Sequence, residues 1–221
     1  MKFNFKPIIA VLLIAVIAIG GAASFLASES KEHQNSFKVG TLDVQLIEEF
    51  NGETLIGGNS QTTSVPCVPG TTIDKKAYVE FTGTGQACAY IRVDIPIAET
   101  DQIVDENGVL TGETANAVTL NLDDVGLGRL NNWYYLNSSF DGTRHEDQGI
   151  VSYYYYYRGI LTEENPRTDT SPIDSISIAN MLVRNDSEGV SYDVTVTAYA
   201  LQCTSLDANP AEVWKASGNT F

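Results

Sequence analysis

Histidine is nearly absent from this chain. Only His33 and His145 occur among 221 residues, and no His-Glu-x-x-His is present. A catalytic zinc site takes three protein ligands, mostly His, and an open position, so that chemistry has too few ligands here. Residues 144–147 (RHED) put one His beside two carboxylates. Adjacent loop residues rarely converge on one ion, and the stretch reads as a solvated polar loop. Also missing are a Gly-x-Ser-x-Gly elbow, a phosphate-cradling Gly-x-x-x-x-Gly-Lys loop and a Gly-x-Gly-x-x-Gly turn. Neither a hydrolase nucleophile nor a nucleotide site is therefore indicated. The acidic groups Asp101, Asp105 and Glu106, or Asp123 and Asp124, lack the regular spacing of a calcium loop. No metal and no cofactor is expected.

Basic residues are scarce as well: 13 Lys and Arg stand against 28 Asp and Glu, a net charge of −15. Such a surface repels phosphate backbones and anionic headgroups. Nucleic acid is excluded as a partner on this ground, and the acidity reads as a means of keeping an exported protein soluble.

The one long hydrophobic run is at the start. Residues 8–26 carry no charge; 19 residues of helix span about 28 Å, which just reaches across a bilayer. Three details favour removal over anchoring. Lys2 and Lys6 form a short positive region, the strongly apolar part covers only residues 8–19, and small residues follow it. Ala22 and Ser24 satisfy the small-residue requirement before a cut, which makes Phe25 the new first residue. No basic cluster follows as a stop-transfer signal. The expected organisation is a leader over 1–24 and one domain over 25–221.

Beyond residue 25 the pattern is one of strands. Leu42, Val44 and Leu46 alternate with Thr41, Asp43 and Gln45, the two-residue period of a half-buried strand. Residues 51–71 are rich in Gly, Asn, Ser, Thr and Pro and read as a loop. Ala77, Val79 and Phe81 then oppose Lys76, Tyr78 and Glu80. Ala89, Ile91, Val93, Ile95 and Ile97 share one face of a strand that Pro96 ends or confines to an edge. Residues 98–150 read as an insertion of short strands and loops. In the tyrosine run, Tyr153, Tyr155 and Tyr157 share a face and Tyr154 and Tyr156 the other. One face packs inward; a sugar-stacking platform is the functional alternative. Ile176 and Ile178 alternate with Ser175 and Ser177. Tyr192, Val194, Val196, Ala198 and Ala200 line one face of the last strand. Asn209 and Pro210 resemble the cap and first turn of a short helix, with Trp214 available to close one end of the core. Many strands and no βα alternation predict an all-β, antiparallel β-sandwich, Ig-like or jelly-roll, with a loop-rich insertion and a short C-terminal helix.

Cysteine is the other scarce residue, with Cys67, Cys88 and Cys203. An exported chain permits one disulfide and leaves one thiol over. If the last strand ends at the pole where Cys67 lies, as in an Ig-like sandwich, Cys67–Cys203 is preferred. Cys88–Cys203 and Cys67–Cys88 remain open under other topologies.

The stretch GGAASFLASESKEHQNSFKVGTLDVQL carries a resemblance. Small residues, an aromatic-containing pair, a polar spacer and then Phe37, Gly40, Leu42, Asp43 and Val44 resemble the TasA and camelysin family of Gram-positive surface proteins. Those proteins are exported with a SipW-type signal peptide. Phe25-Leu26 departs from the more usual aromatic pair. PG-strand-turn-AYIRV, the tyrosine-rich strand with RGILTEENPRTDT after it, and the closing VTVTAYALQ are weaker matches, and together the matches do not cover the middle of the chain. The resemblance implies a SipW-type signal peptidase as processing partner, an accessory anchor protein as a further partner, and a secreted subunit of an extracellular fibre or biofilm matrix. It implies as an alternative a camelysin-like metalloprotease, for which the ligands are too few; a monomeric surface-binding module, with the tyrosine strand or residues 98–150 as its binding face, is a further alternative read from the residues. A fibre would form head to tail: a segment from Phe25 to Val39, which begins with a flexible or donor arm over 25–36 and has Phe25, Leu26, Phe37 and Val39 as apolar contacts, adds a strand to the next copy. ASESKEHQNS within it is polar and reads equally as a flexible lead.

Overall fold

The computed structural model describes residues 42–123, 132–136, 142–182, 190–202, 213–215 and 218. The chain divides into two compact units, 1–39 and 40–221, and the described residues belong to the second. The leader, its cut at Ala22, Ser24 and Phe25, the arm contacts Phe25, Leu26, Phe37 and Val39, Gly40, Cys203, and the Asn209-Pro210 cap lie outside the described residues. Among the described residues no helix is long and apolar enough to cross a membrane.

The fold is all-β and every strand pairing is antiparallel. In chain order the strands are β1 (Val44–Phe50), β2 (Glu53–Ile56), β3 (Ser60–Pro66), β4 (Thr72–Phe81), β5 (Gln86–Pro96), β6 (Glu99–Thr100), β7 (Ala115–Asn116), β8 (Val118–Leu122), β9 (Trp133–Tyr135), β10 (Thr143–His145), β11 (Ile150–Thr162), β12 (Ile173–Ile178) and β13 (Ser191–Gln202). One sheet runs β2-β1-β4-β12-β8 and the other β10-β11-β5-β13-β3, with β9 also on β11 and β6-β7 as a separate ribbon. The helical C-terminal stretch includes residues 213–215.

The two-residue period sets the core. Val79 and Phe81 of β4, Ile91, Val93 and Ile95 of β5, and Val194, Val196 and Ala198 of β13 are all buried in one cluster between the two sheets. The expected faces of these strands are the observed ones. Two loop expectations need correction. Residues 51–71 hold β2 and β3. Asn51 and Gly52 have φ of 49° and 82°, and Phe50 pairs with Glu53. Two successive left-handed residues make the tight turn whose twist matches a hairpin. A Gly52→Ala variant has open space for its Cβ but a φ that L residues avoid; a loss of about 1 kcal/mol is expected in urea unfolding. β3 is polar because it is an edge strand and buries one face only, through Thr63 and Val65.

Residues 98–150 are not an insertion apart from the sandwich. β8 completes one sheet against β12, and β9 and β10 extend the other against β11. Those pairings join residues far apart in sequence, so local pattern did not reveal them. Pro96 ends β5 as expected, but β5 lies centrally between β11 and β13, not at an edge. Its missing N–H is tolerated because the ladder stops there.

β11 uses both faces of its tyrosines. Tyr155 is buried in the inter-sheet core, with Tyr153 and Tyr157 packed against it. On the outer face Tyr154 joins Tyr90, Leu136 and Trp214 in a second cluster. Trp214 thus covers the outside of the six-stranded sheet and does not close one end of the core. A register shift follows Tyr156. Gly159 sits in it, and a Cβ there would collide with the Tyr157 ring.

Burial raises several phenols. Tyr90 and Tyr157 are pushed up to about 12, and Tyr155 well above its ordinary value, in each case chiefly by desolvation. A folded-state pKa above the unfolded value of about 10 gives stability that is complete below pH 10 and lost as pH rises through the folded values. The fold is therefore expected to open cooperatively above pH 10. Absorbance titration should show these tyrosines ionising together with the loss of far-ultraviolet β signal. Independent ionisation of every tyrosine near pH 10 with the fold intact would contradict this.

Candidate assembly site

The last strand outruns its neighbour. β3 begins at Ser60, opposite Thr197 of β13, and the Ala198 N–H donates to the Asn59 carbonyl at 2.7 Å. β13 then continues to Gln202 with β5 beside it. Among the described residues no strand lies on its other side beyond that point. Backbone groups alternate sides along a strand. Since Ala198 directs its N–H toward β3, Ala200 directs its N–H and C=O to the same side, beyond the last β3 partner among the described residues.

β1 is open in a matching way. β2 pairs with it only over Ile47 to Phe50. Residues 57 and 58 cover Leu46, whose N–H donates to the Gly58 carbonyl at 2.8 Å and whose carbonyl accepts from Gly57 at 3.1 Å. Val44, two residues earlier, turns its backbone groups the same way with no strand there among the described residues. Its other side is occupied, since it pairs with Phe81. The Asp43 carbonyl likewise accepts from Thr82 and Gly83.

Between these edges is a cleft of about 440 Å³, lined by Leu42, Asp43 and Val44 on one side, Ala198, Tyr199 and Ala200 on the other, and Gly58 and Asn59. Ala200 is small, which leaves apolar room where its strand would otherwise fill the space. Leu42 stands at the rim, 39% exposed; it was expected inside the first strand, but regular pairing starts at Val44. Of the motif residues, the structure brings Leu42, Asp43 and Val44 to the cleft. The contribution of Ala198–Ala200 and of Asn59 was not foreseen. The available signal was the shortness of β3 beside a long last strand, which only register exposes.

The cysteines do not pair as preferred. Cys67 is a free thiol whose Sγ donates to the Tyr192 hydroxyl at 3.8 Å, while Cys88 is in a disulfide. Cys67–Cys203 is corrected on geometric grounds. The Cys67 N–H donates to the Val190 carbonyl, so Cys67 lies level with the start of β13, whereas residue 203 follows its end. β13 has 12 residues; at about 3.4 Å each its ends are on the order of 37 Å apart, far beyond disulfide reach. Cys88 instead pairs across from Leu201. With Cys67 free, counting leaves Cys203 as the partner. Non-reducing peptide mapping should return Cys88 linked to Cys203 and Cys67 open to alkylation; a Cys67 disulfide would refute the assignment.

The alternative chemistries find other uses for their residues. Arg144 pairs with Glu99 and Glu146, each at 2.9 Å. Asp105 accepts the N–H groups of Asn107 and Val109, both at 2.9 Å, and so shapes its own turn. Those bonds hold its carboxyl below the usual range. Among the described residues no group of three or more His, Cys, Asp or Glu could hold a metal. On β11, Tyr156 stacks on Tyr134 at 5.4 Å, Arg158 lies 5.6 Å from the Tyr134 ring, and Tyr154 meets Trp214 edge-on. Ring faces that a sugar would need are used by neighbouring side chains. No family model, no curated protein and no solved structure matches this chain.

Proposed function

We propose that the chain is a secreted structural subunit of an extracellular fibre or matrix, built head to tail by strand addition. The observation that carries this reading is the cleft where Val44 of one sheet and Ala200 of the other turn backbone groups to a side that no strand covers among the described residues. An extended segment entering it gains main-chain hydrogen bonds from both edges and buries apolar side chains. Uncovered edges are otherwise a liability that folds protect. The occupant is the arm from Phe25 to Val39 of a second copy, its Phe25, Leu26, Phe37 and Val39 supplying the apolar contacts. Such a contact does not close on itself, so it propagates. Removal of the leader by a SipW-type peptidase frees the arm, and an accessory anchor protein holds the fibre to the cell.

Mature protein beginning at Phe25 should form filaments visible by electron microscopy. Deletion of residues 25–35, or Ala200→Glu in the cleft, should leave folded monomers. Filaments from both variants at the undiminished rate would overturn the reading.

A further inference from the structure

Glu48 and Lys75 face each other inside the sandwich. Both side chains are 0% exposed, and Lys75 Nζ lies 2.8 Å from Glu48 Oε1. The contact is close, yet Oε1 accepts no aligned hydrogen bond. Thr63, from the opposing sheet, joins the two. Its hydroxyl accepts from Nζ at 3.1 Å and donates to Glu48 Oε2 at 3.1 Å. The Phe50 ring lies 5.5 Å from Nζ. Burial pushes the Lys75 amine below its ordinary value, against the pull of the Glu48 charge.

We propose that Lys75 and Glu48 condense into an intramolecular amide that staples β1 to β4. A buried ion pair recovers its desolvation cost only with full hydrogen bonding, and here one carboxylate oxygen lacks it. Proton transfer within the pair gives an amine and a carboxylic acid, the forms that a dry site favours. The amine lone pair attacks Cδ and the Nζ–Cδ bond forms. The Cδ–Oε2 bond then breaks. Oε2 leaves as water with two protons that began on Nζ and passed through the Thr63 hydroxyl. Oε1 remains as the amide oxygen and Nζ keeps one hydrogen. Nothing is oxidised or reduced, and no co-reactant is consumed. Holding the groups in contact supplies an effective molarity of about 10⁵ M or more, and excluded water removes the reverse reactant. Thr63 is the proton-relay residue; Glu48 and Lys75 are the reacting groups.

Intact mass of the purified chain, denatured and reduced, reads this directly. The expected mass is one water below the sequence value, and digestion should yield one branched peptide joining the Glu48 and Lys75 segments. Thr63→Val keeps both reacting groups and removes the relay; its freshly folded protein should show the full sequence mass and lose water many-fold more slowly. Protein collected in denaturant directly after synthesis should also show no loss, since the reaction needs the fold. Wild-type protein at full sequence mass with two separate linear peptides, after prolonged storage in the folded state, would overturn the proposal and leave a plain ion pair. The wild-type measurement needs no variant to fold, and it is independent of filament formation.

Discussion

Lys75→Ala is expected to destabilise the fold by about 3–5 kcal/mol, the cost of leaving a buried charge without its partner. Glu48 sits between Leu46 and Phe50 on β1 and is fully buried, shut off from bulk solvent. Thr63 donates one hydrogen bond to it, too little to stabilise a carboxylate alone. The effect should show in urea unfolding as a lower midpoint at an unchanged slope. Replacing both groups together, with Lys75→Met and Glu48→Leu, leaves no orphaned charge. That double variant should be more stable than Lys75→Ala, whichever bond joins the native pair. A single variant as stable as the wild type would mean that the carboxylate reaches water, and the buried geometry would be wrong.

Trp133→Ala should cost about 3–5 kcal/mol, the range for emptying a large aromatic site. Trp133 is fully buried although β9 has only three residues. Its indole N–H donates to the Thr170 carbonyl at 2.9 Å, and its ring packs 5.3 Å from Tyr157. One side chain thus ties β9 and the stretch before β12 to β11. Truncation leaves a cavity and a carbonyl without its donor. Trp133→Phe refills most of the volume but not the hydrogen bond, so its loss should be nearer 1–2 kcal/mol. Thermal unfolding of both variants measures the split; equal losses would mean that packing contributes little there.

The legibility of the fold follows burial. In β4, β5 and β13, apolar residues at alternate positions face a core that covers one face of each strand, so period and burial agree. β12 agrees less well: Ser175 is buried because Asn121 of β8 covers it, donating to its hydroxyl at 3.0 Å, and no local pattern announces that. β2 and β3 went unread because edge strands need little apolar surface, and Ser, Thr and Gly are also the vocabulary of loops. The cleft was legible on one side only. Leu42, Asp43 and Val44 form a local motif, but its far wall is Ala198 to Ala200, and no local signal joins the two segments.

What the sequence determined alone is the all-β class, the inward faces of its long strands, the acidic surface and the scarcity of catalytic ligands. Each depends on composition or on neighbours two residues apart. Tertiary structure decided the strand order, the recruitment of β8, β9 and β10, the free state of Cys67, and the meeting of Glu48 with Lys75 and Thr63. Those depend on which distant strands align and in what register. A shift of one residue would send every one of these side chains to the opposite face.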